Sequence, residues 1–255
     1  MRPDSEVTEV FRLRSHGLSQ AEIARQVGIS RATVRDWLSV GESGVLARPM
    51  RTRQACDPDQ FRCPRTIDLD EPAFAYLLGQ YLGDGCVSRV GRSFRMRIFC
   101  CDQYPGIKCE VAEMMRRTIP GVKVGYIQRV GCTELYTTSI HWPCLVPHGP
   151  GRKHLRQIVL EDWQREIVLE REPARLVRGL IHSDGCRCIN RIRRGDRVYE
   201  YPRYLFSNKS ADIQALFLEA CQRLDVEARH NNRWSISVAR RASVARLDEL
   251  VGPKS

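Results

Sequence analysis

Apolar positions in the first forty residues recur at helical spacing in three short runs. Val7, Val10, Phe11 and Leu13 mark the first helix. Ser19, with Glu22 three residues on, forms a capping box for the second, whose apolar positions are Ala21, Ile23, Ala24 and Val27. Gly28 supplies a left-handed turn. Ser30 caps a third helix that carries Val34, Trp37 and Leu38. Over 41–71 the periodicity is lost. Gly41, Gly44, Pro49, Pro58 and Pro64 interrupt it, and Arg48, Arg51, Arg53, Arg62 and Arg65 make it basic, as expected of a linker.

The rest of the chain states one pattern twice, 100 residues apart. The apolar run Leu77-Leu78-Gly79-Gln80-Tyr81-Leu82-Gly83-Asp84-Gly85-Cys86 returns as Val177-Arg178-Gly179-Leu180-Ile181-His182-Ser183-Asp184-Gly185-Cys186. Each copy predicts a helix that ends in an acid and a glycine. Hairpins come after it: Cys86–Arg89 with Ser93–Cys100 around Gly91, and Cys186–Arg193 with Arg197–Phe206 around Gly195-Asp196. Amphipathic helices over Tyr104–Thr118 and Ser210–Leu224 come next. Second hairpins close each copy: Val122–Gln128 with Leu135–Ile140, and Glu227–Asn231 with Trp234–Ala239. The predicted organisation is a helical domain over 1–40, a linker over 41–71, halves over 72–147 and 173–255, and a connector over 148–172 with a short helix near Trp163.

Composition sharpens this picture. The chain of 255 residues carries 41 basic and 30 acidic side chains, a net charge of +11. Residues 1–50 contribute only +1 of it, so the electrostatic footprint for a polyanion lies beyond them. Only five basic residues are lysines; arginine forks suit phosphates and guanine edges. No stretch reaches eighteen apolar residues, and no signal peptide precedes the first polar helix, so the expectation is a soluble cytoplasmic protein with no membrane partner. In that compartment the eleven cysteines are expected to be reduced. Cys56 and Cys63 lack the second close pair a zinc ribbon needs. His141, Cys144 and His148 have metal-like spacing, but Pro143 and Pro147 predict an irregular loop there.

Residues Gln20 to Ser39 resemble a helix-turn-helix of the resolvase-like and sigma-factor-like kind. Ala24 stands where the helices approach, Gly28 at the turn, and Ile23, Val27, Ile29, Val34 and Trp37 in a shared core. The resemblance implies that Ser30, Arg31, Ala32, Thr33, Arg35 and Asp36 face a DNA major groove. A protein-interaction bundle is the blander alternative.

From about Pro72 to Leu250 the chain resembles the single-chain LAGLIDADG homing endonucleases. The implied fold class is α+β: a three-helix helix-turn-helix bundle, then a duplicated αββαββα fold with pseudo-two-fold symmetry. Small residues at the central seam, here Gly79, Gly83, Gly179 and Ser183, let the two motif helices touch. The last acids of the motifs, Asp84 and Asp184, then bind Mg²⁺ or Mn²⁺ and carry the catalysis. Leu82 and His182 replace the motif's first acid. Basic or polar helpers near the metals align only loosely, with Lys123, Gln128, Arg229 and Arg233 as candidates. Phe206-Ser207-Asn208-Lys209-Ser210 looks like a structural strand-to-helix junction. DNA contacts are expected from Arg89, Arg95 and Arg97 in the first half and Arg187, Arg191, Arg193 and Arg194 in the second. Arg95 with Arg97, and Arg191 with Arg193, share a strand face.

The resulting expectation is a sequence-specific, metal-dependent endonuclease acting on duplex DNA, a monomer associated with a bacterial nucleoid. The alternative is a helix-turn-helix transcriptional regulator that uses the fold only to grip DNA; retention of both acids favours the enzyme. An intein-borne nuclease is disfavoured, because Met1 is no splicing nucleophile and the end has no His-Asn pair.

Overall fold

The computed structural model describes residues 4–46, 68–149, 151–252 and 254. The chain divides into two units, Met1–Ala55 and Cys56–Ser255. In the first, helices α1 (Asp4–Ser15), α2 (Gln20–Val27) and α3 (Arg31–Val40) enclose a core of Val10, Leu13, Ile23, Ile29 and Val34, with Ala24 and Trp37 packed against it. Local chemistry sets the boundaries. Ser19 and Glu22 form the capping box, Gly28 ends α2 at φ 71°, and the Ser30 side chain accepts the Thr33 amide at 3.1 Å. A fourth helix, α4 (Glu42–Leu46), packs on α1 and α3 where the sequence predicts linker. Cys56, Cys63 and the rest of that stretch up to residue 67 lie outside the described residues.

The second unit is built on one buried pair of helices. In α5 (Glu71–Asp84) every residue from Ala73 to Leu82 is buried, so the helix is apolar all round rather than amphipathic. Asp70 caps its start, accepting the Ala73 amide at 3.0 Å. Its partner α9 (Pro173–Asp184) begins with a proline at the position where no amide is needed. After α5 come β1 (Gly85–Val90), β2 (Ser93–Cys101), α6 (Pro105–Thr118), β3 (Gly125–Arg129), β4 (Cys132–Ser139) and α7 (Trp142–Leu145). After α9 come β5 (Gly185–Arg194), β6 (Arg197–Ser207), α10 (Ala211–Arg223), β7 (Arg229–Asn232), β8 (Ser235–Val238) and α11 (Arg241–Val251). Each half therefore runs αββαββα. Both sheets are antiparallel with the same order, β1-β2-β4-β3 and β5-β6-β8-β7. The fold is α+β and internally duplicated.

The connector holds a single 3-10 turn (Lys153–Leu155), then α8 (Asp162–Arg165), which runs into a π-helical segment (Glu166–Arg171) before α9. Trp163 of α8 stacks on Phe74 of α5, centroids 5.5 Å apart. Further local expectations change, β3 starting at Gly125 rather than Val122 among them. Pro143 does not keep 142–145 irregular, because it falls in the first turn of α7, where a missing amide costs nothing. Strand β4 starts at Cys132 rather than Leu135, because its polar Glu134 is paired with Arg97 at 3.3 Å and Arg129 at 2.7 Å. No described helix is long and apolar enough to cross a membrane.

Register fixes which face each side chain shares. Met96, Ile98 and Cys100 of β2 and Tyr204 and Phe206 of β6 are buried beneath the helices. Residues of opposite parity form the face of each sheet that no described helix covers, its uncovered face below.

Candidate functional site

The seam between α5 and α9 is held at backbone contact by glycine. A Cβ on Gly79 would lie 2.6 Å from the Leu176 carbonyl oxygen and 2.8 Å from the Leu180 nitrogen. One on Gly179 would run into the Tyr76 carbonyl and sit 3.1 Å from the Gln80 nitrogen, the equivalent positions of the other half. One turn further, a Cβ on Gly83 would meet the Ser183 side chain and lie 3.2 Å from the Asp184 carboxyl carbon. Ser183 turns its hydroxyl back onto the Gly179 and Leu180 carbonyls at 3.0 Å each. The four small residues thus let two helix ends converge, and with them Asp84 and Asp184.

Both carboxyls are pushed above the usual aspartate range. Burial is the main cause at each. Asp84 stays open to solvent on one side yet is closely surrounded by protein; burial and the Asp184 charge raise it to about 6. At Asp184 the Asn208 amide opposes the rise, donating to the carboxylate at 2.6 Å. No hydrogen bond reaches the Asp84 carboxylate among the described residues.

Two lysines complete the site. Tyr81 donates its hydroxyl to the Pro147 carbonyl at 3.0 Å, pinning the connector beside the end of α5. From there Lys153 Nζ donates to the carbonyls of Tyr81 (2.5 Å), Gly83 (2.7 Å) and Gly85 (2.9 Å). Burial lowers its ammonium to about 8, against the pull of Asp184 and Asp84. In the other half, Arg178 binds Glu110 of α6 through two bonds of 2.9 and 3.0 Å and also donates to the Val251 carbonyl, fixing the end of α11. Lys254 then donates to the Gly185 carbonyl at 2.5 Å, 5.6 Å from the Tyr104 ring.

Each acid opens onto a cavity. Asp184, Lys153, Arg152, Asn208 and Lys209 line one of about 660 Å³ that also reaches Cys86 and Ser207. Asp84, His182 and Lys254 line one of about 80 Å³ that reaches Phe99 and Cys101. Those four partners belong to the uncovered sheet faces, so the acids communicate with that side of the unit. His182 is buried, with Nδ1 3.0 Å from the Tyr76 hydroxyl; burial, then the Arg178 charge, push it down to about 4, so it is neutral at physiological pH.

The helper candidates Lys123, Gln128, Arg229 and Arg233 do not reach the acids. Gln128 donates to Asp102, Arg229 pairs with Glu227, Arg233 lies over Trp234, and Lys123 is exposed on the loop before β3. Asn208 bonds Asp184 instead, and Lys153 and Lys254 line the cavities onto which the acids open. One signal for the lysines was in the sequence: Gly149-Pro150-Gly151-Arg152-Lys153 and Gly252-Pro253-Lys254 repeat a Gly-Pro…Lys theme after each half. Asn208 sits in the junction read as structural; it serves that role too, accepting the Ser210 amide at 2.8 Å.

The arginines divide by face. Arg95 and Arg97 stand opposite the buried Met96 and Ile98, on the uncovered face. Arg95 lies over Tyr136, and Arg97 pairs with Glu134. Arg187 is on the helix side, donating to Asp248 of α11 at 2.7 and 3.0 Å, and Arg191 and Arg193 share its parity. Arg191 is further tied to Glu200 at 2.8 Å. Arg89, cross-strand from Phe94, is on the helix side too. Arg194 has the parity of the uncovered face and is exposed. Sequence reasoning missed Arg203, which faces Cys188 across its hairpin as Arg95 faces Ser88. Both carry a buried Nε without a hydrogen-bond partner among the described residues. In the first unit, Arg31 and Arg35 are exposed on α3, whereas the Ser30 and Thr33 hydroxyls bond each other at 2.8 Å as part of the cap. His141 and Cys144 are not joined by His148 in a metal-ligand group: none of three or more such residues forms among the described residues.

A family model described as a homeodomain-like domain matches residues 5–39. No curated protein matches the chain. Among solved structures, the chain is similar to I-DmoI in complex with DNA and Mn, at 16% identity over 72% of this chain and 98% of that one, TM-score 0.48. It is similar to full-length DUF199/WhiA from Thermatoga maritima at 13% identity, over 71% and 55% of the two chains, TM-score 0.47. For the LAGLIDADG meganuclease I-AabMI bound to uncleaved DNA the values are 10%, 69%, 82% and 0.46. At these identities the likenesses concern fold alone.

Proposed function

We propose that this chain binds duplex DNA and hydrolyses its phosphodiester bonds with divalent cations held by Asp84 and Asp184. The observation that carries this reading is the convergence of two like-charged, desolvated carboxyls at a glycine seam. Two such groups this close disfavour each other's ionisation, and a hard cation relieves both. The donors are carboxylate oxygens, so Mg²⁺ or Mn²⁺ suits them better than a thiophilic metal. Such cations, when bound, neutralise the phosphate and supply a nucleophile at neutral pH.

The chain's own residues do the rest. The seam sets the spacing of the acids. Asn208 orients Asp184, and the wider cavity beside it admits a phosphate between Lys153, Arg152 and Lys209. Arg95, Arg97, Arg194 and Arg203 grip the backbone from the uncovered sheet faces. Arg31 and Arg35 on α3 add a second DNA contact, and tethering raises effective affinity.

Incubating the protein with a randomised duplex library and Mg²⁺, then sequencing new ends, tests the reading. Metal-dependent ends at a defined sequence are expected; salt-sensitive selective binding without ends overturns the nuclease. A regulator that only grips DNA has one observation in its favour, the two ammoniums already lining the acids' cavities.

The face assignment gives a separate expectation. Arg203→Ala should weaken DNA binding and lower the slope of log affinity against log salt by about 1. Arg187→Ala should leave both near the wild-type values, because that side chain is turned to Asp248. Fluorescence anisotropy across a salt series measures both, and equal losses would refute the division of faces.

A further inference from the structure

The chain that follows the last helix of each half returns to the end of that half's motif helix and places a lysine there. Lys153 commits all its donors in doing so. An ammonium has three N–H groups, and three carbonyl oxygens lie at 2.5, 2.7 and 2.9 Å from it. A helix C-terminus leaves carbonyls unpartnered and carries partial negative charge, so a cation is doubly favoured there. Lys254 repeats the arrangement at Gly185, bonding one carbonyl among the described residues. The charges cross over. Lys153 lines a cavity with Asp184, and Lys254 lines one with Asp84, each the aspartate of the opposite half.

We propose that Lys153 and Lys254 are duplicated tethered cations that neutralise the paired acids and close the seam before any metal or DNA arrives. Their labour is divided. Lys153, saturated by carbonyls, is a fixed structural charge. Lys254, held by one carbonyl among the described residues, can swing toward an incoming phosphate. Both compete electrostatically with a divalent ion for the same two carboxylates, so this chain holds its site together without metal and binds metal weakly until DNA adds its own negative charge. The inference takes its location from the site proposed above, but its measurements do not depend on cleavage.

The test uses the full chain in EDTA and in a Mn²⁺ titration. Lys153→Met should lower the thermal midpoint in EDTA by about 5 °C, and Asp184→Asn in the same chain should restore part of the loss. Lys254→Met should cost less stability. In both lysine variants Mn²⁺, followed by its electron paramagnetic resonance signal, should bind about tenfold more tightly, the effect of removing one nearby unit charge under partial screening. If Lys153→Met fails to fold, Lys153→Gln keeps N–H donors without the charge, and Lys254→Met reads the same metal effect. Unchanged or weaker Mn²⁺ binding in the lysine variants overturns the proposal. Absence of cleavage by every version, with the Mn²⁺ effect intact, overturns the nuclease and leaves the tethered cations standing.

Discussion

Replacing Gly179 by alanine is expected to destabilise the protein by roughly 3 kcal/mol, the upper range for overpacking a core. The added methyl runs into the Tyr76 carbonyl and lies within 3.1 Å of the Gly79 Cα and the Gln80 nitrogen. Those are backbone atoms of a helix buried on all sides, so no rotamer change relieves the clash. The helices must part, and apolar contacts along the seam open with them. Gly83→Ala meets a different neighbour. Its methyl collides with the Ser183 side chain, which Ser183→Gly would remove. Gly83→Ala should therefore be destabilising alone and partly rescued by Ser183→Gly, whereas no side-chain substitution in α5 should rescue Gly179→Ala. Urea denaturation of the four variants measures this. A Gly179→Ala protein as stable as wild type would mean that the two helices do not touch there.

That seam was legible in the sequence because it is a repeated, local signal. A glycine spaced four residues from the next small residue, twice in the same phase, has few other readings. The caps of the first unit were equally legible, since Ser19, Glu22, Gly28 and Ser30 act on backbone within their own turns. What the sequence hid was tertiary. Lys153 and Lys254 come after Gly-Pro pairs at different spacings, so a search at fixed offset passes over them. Asn208 lies at a junction whose local turn explains it fully, and its second bond, to Asp184, crosses to another element. The strand arginines are hard to assign to a face for another reason. β5 is exposed along most of its length, so its own residues carry no apolar alternation, and its faces are set by Tyr204 and Phe206 on the partner strand. Counting charge along β5 therefore found Arg187, Arg191 and Arg193, while register assigns them to the helix side and brings forward Arg203.

Asp84→Asn and Asp184→Asn should each lower metal-dependent cleavage on the order of a thousandfold, and yet yield a protein more stable than wild type at neutral pH in EDTA. The two effects have one origin. The folded chain holds the Asp84 proton up to about pH 6, whereas its ordinary value is 3.8. Between those values the folded state binds more protons than the unfolded one, so this group's contribution to stability falls as pH rises through the window and stays low above it. Asparagine copies the protonated form at every pH. The advantage of Asp84→Asn over wild type should thus be negligible near about pH 4 and should grow to a plateau above about pH 6. Asp184→Asn has the same sign, with a smaller gain, because the Asn208 amide already stabilises the charged form there. Thermal midpoints of the three proteins across that pH range measure the difference directly. A variant that loses stability equally at both ends would make the carboxylate a structural hydrogen-bond acceptor instead. Stability gained where catalysis is lost is the signature expected of buried carboxyls held together for a cation to join.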